Sequence, residues 1–285
     1  MSVSKRNSSR GEGGASGEEA FRGQYEGIFG ERWPELEAAL LAAPDSRAFA
    51  AGEGLEPYYL DSASIFAATC LELPSEGRIL DACAAPGGKS LVIASRMTAL
   101  SSPGPTLVAN ELSADRRRRL RDVLDRHLPG DARARVEVSG RDAAAMARSF
   151  EAAFDAILLD APCSSERHVL SQAAACGDAK ALSEWSPSRI RGLAMRQWAL
   201  LSSALIMLKA GGCLVYSTCA LDPRENDGVV GRAIVKCGES LSIERPVYEG
   251  PGEADPTEYG LSILPDRANG AGPMYVCRMR KTAGI

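Results

Sequence analysis

Two cysteines stand just past short apolar runs, and each could act as a nucleophile. Cys163 closes Asp160-Ala-Pro-Cys163 after the run FDAILLD, and Cys219 closes the run CLVYSTC. A thiolate attacks readily and leaves readily, and open α/β sheets hold ligands beyond the carboxyl ends of their strands. A lone cysteine there is usually structural; two of them, with Asp160 three residues before one, are harder to dismiss. A third segment, residues 81–90 (DACAAPGGKS), places a glycine-rich turn before a helix, where a ligand can approach the backbone and free amides favour an anion or polar head. Gly88-Lys89-Ser90 matches the end of the phosphate-loop pattern G-x-x-x-x-G-K-[ST], but Cys83 occupies the place of its first glycine. The dinucleotide pattern G-x-G-x-x-G is missing as well.

Acids recur at similar places. Glu111 ends TLVANE about 20 residues past Gly88, a separation at which a carboxylate accepts hydrogen bonds from ribose hydroxyls. Asp142 follows the next β-rich run and could meet an exocyclic amine of adenine. Singly, each reads equally well as a helix cap or a solvated turn residue. Three acids at successive strand ends, Glu111, Asp142 and Asp160, form a pattern.

The elements that must position these residues alternate from Gly77 onward. Strands are expected over residues 78–83, 106–111, 135–139, 154–160 and 213–219, the fourth an almost unbroken apolar run suited to the centre of a parallel sheet. Helices are expected from the glycine turn through Met97, from Ser113 (as N-cap) to His127, from Pro187 to Lys209 with Gly211-Gly212 ending it, and over residues 225–237. Residues between Cys163 and Pro187 read as irregular. Two late strands, residues 261–264 and 275–280, are expected as an antiparallel hairpin. The order predicts an α/β fold with a doubly wound sheet. Residues 1–17, rich in Ser, Gly and Arg, read as a disordered leader or the remnant of an organellar transit peptide. Residues 18–75 read as an N-terminal helical extension and 76–285 as the main domain.

Composition narrows the function. The 285 residues, 45% apolar and 25% charged, suffice for one large core. The longest apolar stretch, residues 199–208, falls short of the roughly 20 needed to span a bilayer, so no membrane partner is expected. A net charge of −4 leaves nucleic-acid affinity to local patches or a partner. None of the eight cysteines forms C-x-x-C, and His127 and His168 have no metal-ligand spacing, so no metal site is expected. Most of the cysteines should be small buried hydrophobes.

Residues 81–90, 160–163 (DAPC) and 216–226 (YSTCALDPREN) strongly resemble the motifs of the Nop/Sun-domain RNA cytosine-5 methyltransferases, a likeness extending over about residues 21–281. Residues 30–41 (GERWPELEAALL), 58–63 (YYLDSA) and 164–170 (SSERHVL) are similar to the mitochondrial ribosomal-RNA branch. After the Pro-Cys the common pattern has small and glycine residues, and Glu166, Arg167 and His168 depart from it.

The resemblance implies a Rossmann-like methyltransferase fold using S-adenosylmethionine to form 5-methylcytosine in RNA. It assigns the nucleophile to Cys219, proton release to Cys163, and base activation to Asp160 with Lys89 beside it. It places Ala85, Pro86, Gly87, Gly88 and Lys89 around the methionine part, Glu111 on the ribose, Asp142 near adenine, Asp160 near the sulfonium, and Arg116 at a further cofactor position. Ribosomal RNA is the implied substrate, with tRNA as the alternative, and a protein partner is expected to aid RNA binding. The implied location is the mitochondrion, with the cytoplasm as alternative. Two rival readings are a DNA or small-molecule methyltransferase, disfavoured by the Thr-Cys at Cys219, and an RNA-binding ribosome assembly factor whose catalysis is secondary.

Overall fold

A computed structural model describes residues 17–100, 104–176, 182 and 185–283 of the chain. Residues 1–16, most of the expected leader, lie outside the described residues. Two helices open the fold, α1 (Gly17–Phe29) and α2 (Trp33–Leu41), followed by the strands β1 (Ser46–Phe49) and β2 (Tyr58–Asp61). These strands pair antiparallel, an element that the helical reading of this stretch omitted. Asp61 then caps α3 (Ser62–Thr69) by accepting the Ala63 N–H at 2.8 Å.

The main sheet follows the expected alternation: β3 (Arg78–Asp81), α4 (Gly88–Met97), β4 (Thr106–Asn110), α5 (Ala114–His127), a short α6 (Gly130–Ala134), β5 (Val136–Ser139) and β6 (Phe154–Asp160). After these come α7 (Glu166–Cys176), α8 (Pro187–Met207), β7 (Leu208–Thr218), α9 (Asp227–Cys237), β8 (Leu241–Glu244), β9 (Asp255–Pro256), β10 (Leu261–Ile263) and β11 (Met274–Lys281). Strand order is β5-β4-β3-β6-β7-β11-β10-β9, with β8 also on β11. The first five strands are parallel, and β11 runs antiparallel to β7. Order therefore reverses between β3 and β6, which opens a crevice beyond their carboxyl ends. Neighbouring residues of these strands enter opposite cores: Ile79 and Leu158 join the layer under α3 to α5, while Leu80 and Ile157 join the layer under α8 and α9. Both faces are covered, which explains the unbroken apolar run of β6.

Two expectations are corrected. The glycine pair does not end α8; the helix stops at Met207 and β7 already begins at Leu208. Leu208 pairs with Phe154 and Cys213 with Ala156, so Gly211-Gly212 form a bulge within the strand. Gly211 has a φ of 80°, and a Cβ on Gly212 would lie 2.9 Å from the Asp155 carbonyl oxygen. The stretch after Cys163 is not all irregular either, because α7 occupies its first half. Its Val169 and Leu170 enter an aromatic cluster with Phe21, Tyr25 and Trp33, and that long-range packing favours the helix. The late hairpin forms as expected, Leu261 opposite Val276. No helix among the described residues is long and apolar enough to cross a membrane.

Candidate active site

The switch-point crevice holds a cleft of about 1220 Å³. One half is walled by Ala85, Pro86, Glu111, Arg116 and Asp142, and the other by Asp160, Cys163 and Cys219. Gly88 and Lys89 instead line a separate cavity of about 120 Å³, which shares Cys83, Ala85, Pro86 and Asp160 with the cleft. Gly87 lines neither cavity. Its φ of 126° turns the chain into α4, and a Cβ there would stand 3.0 Å from Val123 Cγ1 of α5.

Polar staples shape the crevice. Asn110 donates to the Ala82 and Arg141 carbonyls, both at 3.0 Å, and accepts from the Arg141 N–H, so one amide ties together the ends of β3, β4 and β5. Glu111 accepts the Ser113 N–H at 2.8 Å, and Arg116 donates to the Ala85 carbonyl at 2.7 Å. Arg117 donates to the Glu111 and Leu112 carbonyls. Lys89 donates to Asp160 Oδ2 at 2.8 Å, and Ser217 donates to Asp160 Oδ1 at 2.8 Å. Burial works to lower the Lys89 pKa, but the adjacent Asp160 carboxylate outweighs it and the net shift is upward.

Cys163 and Cys219 bring their Sγ atoms 3.0 Å apart, and Ser165 Oγ lies 3.3 Å from Cys219 and 3.5 Å from Cys163. Hydrogen bonding from Cys163, aided by Ser165, favours the Cys219 thiolate and lowers its pKa despite burial. The partner moves the other way: the thiol shared with Cys219, then burial, raises Cys163. Ser165 holds a φ of 55°, a left-handed backbone uncommon for serine. Replacing Ser165 by alanine should move the pH midpoint of Cys219 alkylation by iodoacetamide upward by roughly one unit, the equivalent of one hydrogen bond to an anion. An unchanged midpoint, followed site by site by mass spectrometry, would show that the hydroxyl contributes nothing. The remaining described cysteines divide: Cys70, Cys213 and Cys277 are buried in the core, Cys237 is half-buried, and Cys83 lines the cleft.

Two buried carboxyls hold the loops that carry these thiols. Glu166 accepts the Tyr25 hydroxyl at 2.6 Å, the Ser164 hydroxyl, and the Leu221 N–H at 3.0 Å. Glu225 accepts the Ser164 N–H at 3.1 Å and Gln197 Nε2 at 2.7 Å, while its Oε1 has no partner among the described residues. Burial pushes Glu225 up to about 7, and it does the same to Asp81, which accepts the Ser90 hydroxyl at 2.6 Å. Between pH 4.5 and 7 the folded chain thus keeps protons that the unfolded chain has lost. Stability should fall as pH rises through that window, by up to about 1.4 kcal/mol per pH unit for each group. Urea melts at pH 5 and pH 8 should show a smaller fall for Glu225→Gln than for the parent chain; equal falls would assign the slope to other groups.

A family model described as 16S rRNA methyltransferase RsmB/F matches residues 68–280. The chain belongs to this family. Among its relatives, the mouse tRNA (cytosine(34)-C(5))-methyltransferase, mitochondrial, is 33% identical over 80% of this chain and 64% of its own length. The bovine 5-cytosine rRNA methyltransferase NSUN4 is 34% identical over 79% of this chain and 60% of its own length. The chain therefore spans less than two thirds of both relatives. A solved methyltransferase homolog protein from Pyrococcus horikoshii has the same fold, with a TM-score of 0.68, 22% identity, and coverage of 92% of this chain and 94% of its own. The Nop/Sun-domain likeness and the Rossmann-like fold expected from the sequence both hold.

The residues present fit S-adenosylmethionine. The cleft offers carboxylates, Glu111, Asp142 and Asp160, on the side of a cation and of hydroxyl and amine donors, and apolar walls from Leu112 and Ala143 between them. Sequence reasoning missed Asn110, Ser165 and Glu166 as site-shaping residues. Asn110 was visible as a polar residue just before the strand-end acid, whereas Ser165 and Glu166 acquire their partners only in the tertiary structure.

Proposed function

We propose that this chain transfers a methyl group from S-adenosylmethionine to carbon 5 of a cytosine in RNA, through a covalent bond between Cys219 and carbon 6 of the base. The observation that carries the reading is the Cys163–Cys219 pair, 3.0 Å apart in the same cleft as Asp160. Carbon 5 is a poor nucleophile until a group adds at carbon 6, and a thiolate is suited to that addition. Bound S-adenosylmethionine supplies an electrophilic methyl group.

In this reading Cys219 attacks carbon 6 as the thiolate that Cys163 and Ser165 stabilise. Asp160, held between Lys89 and Ser217, supports charge at ring nitrogen 3. Once carbon 5 carries the methyl group, its proton must leave before the carbon–sulfur bond breaks and the ring double bond returns. Cys163, 3.0 Å from Cys219, stands next to the reacting carbons in this reading and assists that loss, the proton passing on to solvent. Ala85, Pro86, Glu111, Arg116 and Asp142 hold the cofactor in the other half of the cleft, with Gly87, Gly88 and Lys89 fixing the loop behind it. The base must be unpaired or flipped out to reach the thiols.

The family description and the bovine relative's name favour ribosomal RNA as substrate; the mouse relative's name keeps tRNA as the alternative. We assign the chain to the mitochondrion on the mouse relative's name, and expect a protein partner to aid RNA binding because the net charge is −4. Incubation with methyl-labelled S-adenosylmethionine and separate ribosomal and transfer RNA fractions tests the reading. Label in cytosine of the ribosomal fraction supports it, label in tRNA selects the alternative, and no label in either overturns the activity.

A further inference from the structure

The catalytic half of the cleft carries cationic side chains that the chemistry above does not use. Along α8, Arg189, Leu193, Arg196 and Leu200 recur at spacings of four, three and four residues, which puts them on one face of the helix. Leu193, Arg196, Leu200 and His168 of α7 all line the cleft, and Gln197, next to Arg196, donates to the Pro162 carbonyl at 3.0 Å, which sets this part of α8 beside the Cys163 loop. The other cations of the site are already engaged: Lys89 with Asp160, Arg116 with the Ala85 carbonyl, and Arg141 over the Phe150 ring at 5.2 Å. Arg196 and His168 have exposed side chains with no hydrogen bond or ion pair among the described residues.

A nucleotide whose base reaches Cys219 brings a phosphate to the mouth of the cleft. Of the other cations of the cleft, Arg116 and Arg141 already have partners, and the Lys89–Asp160 pair is already neutral. We propose that Arg196 and His168 seat the phosphate of the target nucleotide, and that Arg189, two helical turns away, continues the track toward a neighbouring phosphate. Leu193, between the two arginines, covers the sugar, and seven residues of helix place Arg189 about 10 Å from Arg196 along the axis. A short cationic stripe of this kind gives a net-negative chain local purchase on a polyanion. The inference rests on the RNA reading above, and it is tested by binding, without turnover.

The probe is a fluorescent single-stranded oligoribonucleotide with one central cytidine, titrated with the full chain and S-adenosylhomocysteine from about 50 to 200 mM salt. Arg196→Gln should weaken oligonucleotide binding roughly tenfold, as expected for one charge-assisted hydrogen-bonding group. The slope of log affinity against log salt should become shallower by about 0.7, one phosphate contact on a single strand. Arg196→Lys should keep most of the slope, and His168→Gln should weaken binding less than Arg196→Gln. Arg191→Gln, which removes the same charge from another face of α8, should bind as the parent does. S-adenosylmethionine affinity should be unchanged in all four variants. The seat is overturned if Arg196→Gln binds RNA like the parent, if Arg191→Gln loses as much, or if cofactor affinity falls in step with RNA affinity. Failure of the parent chain to bind the oligonucleotide also overturns it. Failure of the parent to methylate any RNA, with the Arg196 effect on binding intact, would instead remove the proposed activity and leave the seat standing.

Discussion

Cys163→Ala is expected to accumulate a denaturant-resistant covalent complex with RNA, whereas Cys219→Ala forms none and loses turnover by roughly four or more orders of magnitude. The asymmetry follows from where each thiol stands in the reaction. Without Cys219 no sulfur adds to carbon 6, and carbon 5 never becomes nucleophilic. Without Cys163 the addition and the methyl transfer still proceed, but the carbon 5 proton leaves slowly and the carbon–sulfur bond cannot break. The geometry supports this division, since Cys219 receives hydrogen bonds from both Cys163 and Ser165 and is the one whose pKa is lowered. Denaturing electrophoresis of each variant after incubation with S-adenosylmethionine and labelled cellular RNA decides the matter. A trapped complex with Cys219→Ala and none with Cys163→Ala would exchange the two roles. Sequencing the RNA captured on Cys163→Ala would also identify the target cytosine.

Glu166→Ala is expected to cost about 3 kcal/mol of stability. The fully buried carboxyl accepts from Tyr25, Ser164 and Leu221, and removing it leaves three donors without a partner, each costing about 1 kcal/mol or more. For a chain of this size that corresponds to a fall in melting temperature of roughly 5 °C. The three donors come from α1, the loop after Cys163 and the loop after Cys219, so the loss also frees the two thiols from their shared geometry. Glu166→Gln should be intermediate, because its carbonyl still accepts the hydroxyls while its amide faces the Leu221 N–H. Thermal melts of both variants, with iodoacetamide rates at Cys219, test the argument; a melting temperature within 2–3 °C of the parent for Glu166→Ala would sink it. Tyr25 makes the extension part of the active site's support, although it lies 141 residues from Glu166 in the chain.

Much of this was legible in the chain itself. Hydrophobic periodicity located five of the sheet's strands and the helices between them, because each strand buries both faces and each helix one stripe. Ser113 was readable as a cap from its residue type, and it accepts the Arg116 N–H. The motif residues Asp160, Cys163 and Cys219 were readable because strand ends in a doubly wound fold share one crevice. The bulge at Gly211-Gly212 was not, since a glycine pair after an apolar helix reads as a stop until β6 supplies a partner for Leu208. α7 was hidden for a similar reason: its short apolar pattern becomes stable only against Phe21, Tyr25 and Trp33.

The sequence by itself determined the fold class and the family and nominated the candidate reactive side chains, because these depend on local pattern and residue chemistry. It also posed a question, how a thiol acquires the pKa of a nucleophile, that it could not answer. Only the tertiary structure decided which thiol has its pKa lowered, which carboxyls burial pushes upward, and which arginines have no partner among the described residues. Those properties arise from groups far apart in sequence meeting within a few ångströms, where desolvation and hydrogen bonding set charge.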